Sequence, residues 1–237
     1  MLGASQGMGL AIAEALVAEG ASVAMFARRA DVLEREAARI GALAVPGDIT
    51  CEADLERLVG ATVDRFGGID IVILNGGGPP PGAAADLTAA SVTQAVELLL
   101  VPHVRLVGDC LPHLRASGRG RIVAIESTSV KEPLANLALS NAVRPGVVGW
   151  LKTLARELGP DGITVNTIAP GRIDTERLRS IYGADGPPEA MLAQIPAHRV
   201  GLPAEIASAV CFLASDQAAY ISGAIVPVDG GMLNGLT

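Results

Sequence analysis

Gly3–Gly9 reads G-A-S-Q-G-M-G, and an apolar helical pattern follows it at once. Glycines at Gly3, Gly7 and Gly9 let the main chain turn tightly and approach a pyrophosphate. The helix that follows offers free N–H groups and the positive end of its dipole. The next strand pattern, Ser22–Ala27, runs into Arg28 and Arg29, two guanidiniums able to pair with a phosphate. Further along, Gly76–Gly82 (GGGPPPG) makes a stiff loop directly after an apolar strand. Open parallel sheets bind ligands at that end of their strands. His103, His113 and His198 are too scattered to give metal-ligand spacing. Cys51, Cys110 and Cys211 form no C-x-x-C pair and read as buried, reduced thiols. No metal is expected.

These residues need a scaffold, and the periodicity supplies one. Strand patterns fall at Ser22–Ala27, Ala42–Val45, Asp70–Asn75, Arg121–Ile125, Thr164–Ala169 and Ile225–Val228. Helical patterns alternate with them. One covers Gly9–Glu19 and stops at Gly20. One is capped by Asp31, with Glu34 three residues on. One opens at Thr50 or Glu52 and runs to Phe66. Ser91–Leu114 is long and expected to bend at Pro102, and Val147–Leu158 and Ala204–Ala214 complete the set. Strict alternation implies an α/β fold, a doubly wound parallel sheet of Rossmann type between two helical layers. No linker or repeat divides residues 1–237, so one domain is expected. Hydrophobic residues make up 50% of the chain and aromatics 3%, which suits an aliphatic parallel sheet. A net charge of −7 and few aromatics argue against a nucleic-acid partner. The N-terminus lacks a basic-then-apolar leader, and no uninterrupted apolar run has the length of a membrane span. A cytoplasmic protein with no membrane partner is expected.

Taken in order, these motifs resemble the classical short-chain dehydrogenase/reductases. The glycine turn is similar to their cofactor motif, and Asp48-Ile49 to their adenine-contacting Asp-Val. Asn75-Gly76-Gly77 looks like the tail of their Asn-Asn-Ala-Gly, and Pro170-Gly171 begins their Pro-Gly turn. Gly201–Gly231 matches their C-terminal region. The resemblance implies that a dinucleotide contacts Gly3, Ser5, Gln6, Gly7, Met8, Gly9, Arg28, Arg29, Asp48, Ile49, Asn75, Gly76, Gly77, Arg144, Pro170, Gly171, Ile173 and Thr175. An acidic residue at the end of the second family strand would bind the ribose of NAD. Ala27 stands there, followed by two arginines, so NADP(H) is the expected cofactor. One departure concerns the start. The family has a strand of about half a dozen residues before the glycine motif, and only Met1 and Leu2 precede Gly3 here. The first strand therefore reads as missing or truncated, and an in-frame apolar segment upstream of Met1 is expected.

The family's catalytic tetrad is Asn, Ser, Tyr and Lys. With the register anchored on Gly149–Leu158, the Lys position is Arg144 and the Tyr position is Ser140. The Ser position, thirteen residues earlier, is Ser127, and the Asn position is Leu99. Only Ser127 is retained. A serine is a poorer proton donor than a tuned phenol, and an arginine does not readily release its proton. Lys131, with Glu132, follows Ser127 in a loop expected to border the site and is a further candidate donor. Pro145 suggests that the helix begins near residue 145, which would move Ser140 off its usual face. Asp174–Pro196 is the expected substrate loop. The resemblance implies an NADP(H)-dependent oxidoreductase, similar to 3-oxoacyl-carrier-protein reductases, acting on a small-molecule carbonyl substrate through an atypical proton donor. Conjugate reduction of an enone is one alternative, and a catalytically weak NADP-binding sensor or partner protein is another. Family members pair through long helices, which implies a homodimer or homotetramer.

Overall fold

The computed structural model describes residues 1–183 and 186–235. In chain order the principal elements are α1 (Gly7–Ala18), β1 (Ala24–Ala27), α2 (Ala30–Ile40), β2 (Leu43–Pro46), α3 (Glu52–Phe66), β3 (Ile71–Asn75), α4 (Ala89–Leu99), α5 (Val101–Ser117), β4 (Arg121–Ile125), α6 (Ala138–Glu157), β5 (Thr164–Pro170), α7 (Glu176–Tyr182), α8 (Glu189–Leu192), α9 (Pro203–Ala214) and β6 (Ile225–Val228). All strand pairs are parallel, in the orders β1-β2 and β3-β4-β5-β6. Successive strand residues face opposite layers. Ile122 and Ala124 of β4 pack with Leu106, Leu114 and Leu151, in the layer of α3, α5 and α6. Val123 and Ile125 pack with Ile12, Ile206 and Val210, in the layer of α1 and α9. The expected three-layer α/β architecture is present.

The two strand groups meet at the N-terminus. The Leu2 amide donates to the Ile73 carbonyl at 3.2 Å, and the Phe26 amide donates to the Met1 carbonyl at 3.0 Å. Leu2 is fully buried and pairs with Phe26 as a parallel bridge. Met1–Ala4 thus lies between β1 and β3 as a very short central strand, in the place where the first strand was expected. Beside Met1, toward the amino ends of β1 and β3, an open cleft of about 1200 Å³ is lined by Val23, Ile71, Leu106 and Cys110, among others.

Several helix expectations need correction. The helix expected at Val147–Leu158 begins at Ala138 and carries Pro145 inside it. Pro145 removes only its own donation, to the Asn141 carbonyl, and Val143, Val147 and Leu151 bury on either side of it. Tertiary packing therefore overrides the proline, and Ser140 and Arg144 stand one turn apart on a continuous buried face. The long Ser91–Leu114 pattern is two helices broken at Leu100 rather than one helix bent at Pro102, because Pro102 sits in the first turn of α5, where its missing N–H costs nothing. Asp31 lies in the first turn of α2 and does not cap it; Arg29 holds the cap position without a side-chain bond. α1 opens at Gly7, two residues before the expected start.

Candidate active site

The carboxyl ends of the parallel strands and the Gly3–Gly9 turn converge on one edge of the molecule. The turn is built from main chain. Gly3 has φ +61°, and a Cβ there would lie 2.6 Å from the Asn75 carbonyl oxygen. A Cβ on Gly9 would lie 1.9 Å from the Gly3 carbonyl oxygen. Asn75, at the end of β3, closes the turn by donating from Nδ2 to the carbonyls of Leu2 and Gly3, at 3.3 and 3.2 Å. α1 has no side-chain cap at Gln6, so no capping side chain competes for its first amides. Ser5 is buried and Met8 half-buried along this turn. Residues present here fit a dinucleotide pyrophosphate, because the close main-chain approach that such a group needs is what the glycines provide.

Beside the turn lies a cleft of about 380 Å³ bordered by Gln6, Gly7, Arg29, Asp174, Thr175 and Arg179. Arg29 donates to the Gln6 side chain. Arg179 is held by the Asp174 carboxylate, whose pKa it lowers. Arg29 has no carboxylate partner among the described residues. Arg28 is exposed near Asp48, whose carboxyl is held below its usual range by the amide and hydroxyl of Thr50. Ile49 packs on the core next to it. Opposite, at the end of β5, a Cβ on Gly171 would lie 2.7 Å from Asp229 Cα, so Pro170-Gly171 runs against that segment. Ile173 is buried and bridges to Gly201. Thr175 caps α7 and reaches over the glycine turn, its Cγ2 being 3.5 Å from where a Gly7 Cβ would stand.

The second half of the site is built from side chains on the residues after β4 and on α6. The Ser127 hydroxyl accepts from the Ser129 amide at 3.1 Å, which leaves its own proton available, and the residue is half-buried. Ser140 is buried and shares a 3.0 Å hydrogen bond with the Ser129 hydroxyl. Arg144 Nη1 donates to Glu126 Oε2 at 2.8 Å, and its Nη2 donates to the Gly77 carbonyl at 3.1 Å. Burial raises the Glu126 pKa, and the Arg144 charge opposes that rise. Lys131 is half-buried, its amide donates to the Thr128 carbonyl at 3.0 Å, and its side chain has no hydrogen bond or ion pair among the described residues. Its neighbour Glu132 accepts from the amides of Asn234 and Gly235 at 2.9 and 2.8 Å.

Gly76–Gly82 forms a strap between these halves. Arg144 holds it at Gly77. Arg177 of α7 donates to the carbonyls of Gly78 and Pro79, both at 2.9 Å. Its far end pairs with Asn136 and Ala138 at the start of α6. Behind the strap His103 is fully buried with neither ring nitrogen partnered, and burial and then Arg144 push its pKa down to about 3. The structure therefore gathers Ser127, Ser140 and Arg144 into one wall and sets the glycine turn, Asn75 and the strap beside it. Sequence reasoning missed Glu126, Ser129 and Arg177. The available signal for Glu126 was a carboxylate placed directly after an apolar strand.

A sequence model described as enoyl-(acyl carrier protein) reductase matches residues 3–233. The 3-oxoacyl-[acyl-carrier-protein] reductase FabG of Vibrio cholerae is 36% identical over 232 residues, covering 97% of this chain and 94% of FabG. This chain belongs to the short-chain dehydrogenase/reductase family. Among solved structures, YwfH, described as an NADPH-dependent reductase involved in bacilysin biosynthesis, aligns with TM-score 0.94 at 26% identity, covering 99% of this chain and 97% of YwfH. The NADPH-bound short-chain oxidoreductase of Pseudomonas aeruginosa PAO1, described as containing an atypical catalytic center, aligns with TM-score 0.92 at 28% identity and covers 99% of this chain and 95% of its own. The family resemblance read from the glycine turn and the C-terminal motif is thereby borne out. This short-chain dehydrogenase/reductase has its glycine turn at the strand ends, as the motif implied.

Proposed function

We propose that this short-chain dehydrogenase/reductase is an NADP(H)-dependent reductase of a small carbonyl substrate of the 3-oxoacyl kind. The observation that carries the reading is the juxtaposition of a Cβ-excluding glycine turn with the available hydroxyl of Ser127. Gly3, Ser5, Gln6, Gly7, Met8 and Gly9 would hold the pyrophosphate. Arg28 and Arg29 would take the 2′-phosphate, and Asp48 with Ile49 would border the adenine. Asn75, Gly76, Gly77, Pro170, Gly171, Ile173 and Thr175 would border the remainder. NADPH supplies the hydride when bound. Ser127 donates a hydrogen bond to the carbonyl oxygen, and the fixed charge of Arg144 stabilises the developing oxyanion. Ser140 carries no phenol, so the proton comes from Lys131 or from water ordered by Ser140. Residues 1–237 act as one domain whose own segment 174–196 covers the substrate; residues 184–185 of that segment, like 236–237 at the end, lie outside the described residues. Titration with both cofactors tests the assignment: NADPH is expected to bind at least tenfold more tightly than NADH, and tighter NADH binding overturns it.

A second reading is favoured by the description of the matching family model as an enoyl reductase. Hydride delivery to an enone carbon places less demand on a tuned phenol. Product analysis separates the two, since carbonyl reduction of an enone yields an allylic alcohol and conjugate reduction yields a saturated ketone. The chain is further proposed to work as a homodimer or homotetramer in the cytoplasm. Val104 on α5 is 43% exposed and Phe212 on α9 is 46% exposed, apolar surface that a partner copy would cover. Light scattering at micromolar concentration is expected to give two or four chain masses, and a monomer mass refutes this.

A further inference from the structure

Arg144 is the cation that holds the start of the strap, at Gly77, and the structure shows what fixes it. Glu126 extends the β4 ladder by one residue, its amide donating to the Ile168 carbonyl at 2.9 Å. Its side chain is fully buried, and its partner Arg144 is 8% exposed along the side chain. One carboxylate oxygen receives Arg144, and the other has no partner among the described residues. A buried ion pair of this kind adds little net stability, because desolvating two charges offsets their attraction. It does fix direction: with Nη1 held at Glu126, the planar guanidinium presents Nη2 to the Gly77 carbonyl. No other side-chain hydrogen bond to Gly76 or Gly77 occurs among the described residues.

We propose that Glu126 is a positioning residue for the dinucleotide: it orients Arg144, and through Arg144 it sets Gly77 and the strap beside the glycine turn. Asn75 joins that strap to the turn directly, since its side chain holds Leu2 and Gly3 while its main chain continues into Gly76. Two anchors, Asn75 on the turn and Arg144 on the wall, thus fix the first two strap residues, Gly76 and Gly77. Without Glu126 the guanidinium would remain buried with no counter-charge and would turn toward other acceptors, releasing Gly77. His103, packed under Gly76 with no hydrogen-bond partner, offers no replacement anchor.

The inference rests on the NADP(H) reading above, and the test keeps the two apart. NADPH affinity is measured by fluorescence titration of the full chain, with folding checked by circular dichroism. Glu126→Leu and Arg144→Leu are each expected to weaken NADPH about tenfold or more, the loss of one charge-assisted contact. Glu126→Gln, which keeps an acceptor of the same length, recovers most of that loss. Glu126→Leu/Arg144→Leu, which removes both buried charges, is no weaker than Arg144→Leu alone. If Glu126→Leu fails to fold, Glu126→Gln and the double variant still decide the matter. NADPH affinity within twofold of wild type in Glu126→Leu, or losses that multiply in the double variant, would falsify the proposal. A merely structural role predicts a lower melting temperature with no coupling between the two residues in NADPH affinity. Ser127→Ala serves as the reference: it should bind NADPH normally and lose turnover. Failure of that reference, or of wild type to bind NADPH at all, counts against the reductase reading, whereas normal binding by Glu126→Leu in a working enzyme counts against the positioning role alone.

Discussion

The glycine turn and the α6 wall stand side by side and are built on opposite principles. In the turn, main-chain atoms occupy the space that side chains would take, and Gly9 has the Gly3 carbonyl 1.9 Å from its missing Cβ. On the wall the same kind of proximity is made by side chains: Glu126 with Arg144, Ser129 with Ser140, Ser127 with the Ser129 amide. A main-chain site accepts almost no substitution, because relief requires moving backbone. A side-chain site can exchange one set of partners for another while the backbone stays put, which is how a serine and an arginine can stand where a tyrosine and a lysine are expected. The contrast is one between a rigid main-chain turn and an adjustable side-chain wall; in the proposed function, the first carries binding and the second proton delivery.

The sharpest way to break that contrast is Gly9→Ala. Its methyl would need the Gly3 peptide to shift, at a cost of about 3 kcal/mol or more, so NADPH binding should fall roughly a hundredfold or the chain should not fold. Unaltered NADPH affinity would show that the turn is not the binding element. Next is Ser127→Ala. Losing the carbonyl-orienting donor should lower turnover about a hundredfold with NADPH affinity retained. Steady-state rates on an activated ketone check this, and full activity would mean that the tetrad register is misplaced.

His103 tests the seam between the two regions through pH. Burial and Arg144 push its folded pKa down to about 3 from 6.5, so its neutral form is the one the fold accepts. The stability tied to that depressed pKa is fully present above pH 6.5 and is lost as pH falls toward 3. At pH 5 the loss should be roughly 2 kcal/mol, or about 4 to 8 °C in melting temperature. Thermal scans of wild type and His103→Leu between pH 7 and 5 should show the variant losing less, and parallel decline would mean that His103 is not the titrating group. The smallest effect belongs to Ser140→Ala. If Ser140 only holds water through its hydroxyl pair with Ser129, the loss is one neutral hydrogen bond of about 1 kcal/mol and turnover falls less than tenfold. A hundredfold loss would make Ser140 the proton donor itself and close the gap with ordinary family members.

Much of the fold was legible in the sequence. Alternating strand and helix patterns gave six strands in nearly their observed places, and Arg121–Ile125 and Ile225–Val228 needed no adjustment. The family was legible too, because glycine turns impose residue types locally: a positive φ at Gly3 or a contact at Gly9 leaves no alternative side chain. Such constraints act within a few residues and are written into the chain in order. Other features depended on residues far apart in sequence. Pro145 reads locally as a helix start, yet burial of Val143, Val147 and Leu151 carries α6 through it back to Ala138. Glu126 and Arg144 lie eighteen residues apart, and Arg177 meets the strap 99 residues away at Gly78. The central position of Met1 and Leu2 between β1 and β3 was also a tertiary outcome, since two residues carry no strand periodicity. The sequence by itself determined the sheet, the helical layers and the glycine turn, whose causes are local stereochemistry and hydrophobic period. Tertiary structure alone decided which charges pair, which hydroxyls meet and what holds the strap, because ion pairs and side-chain hydrogen bonds form between whichever groups the packed backbone brings within about 3 Å of each other.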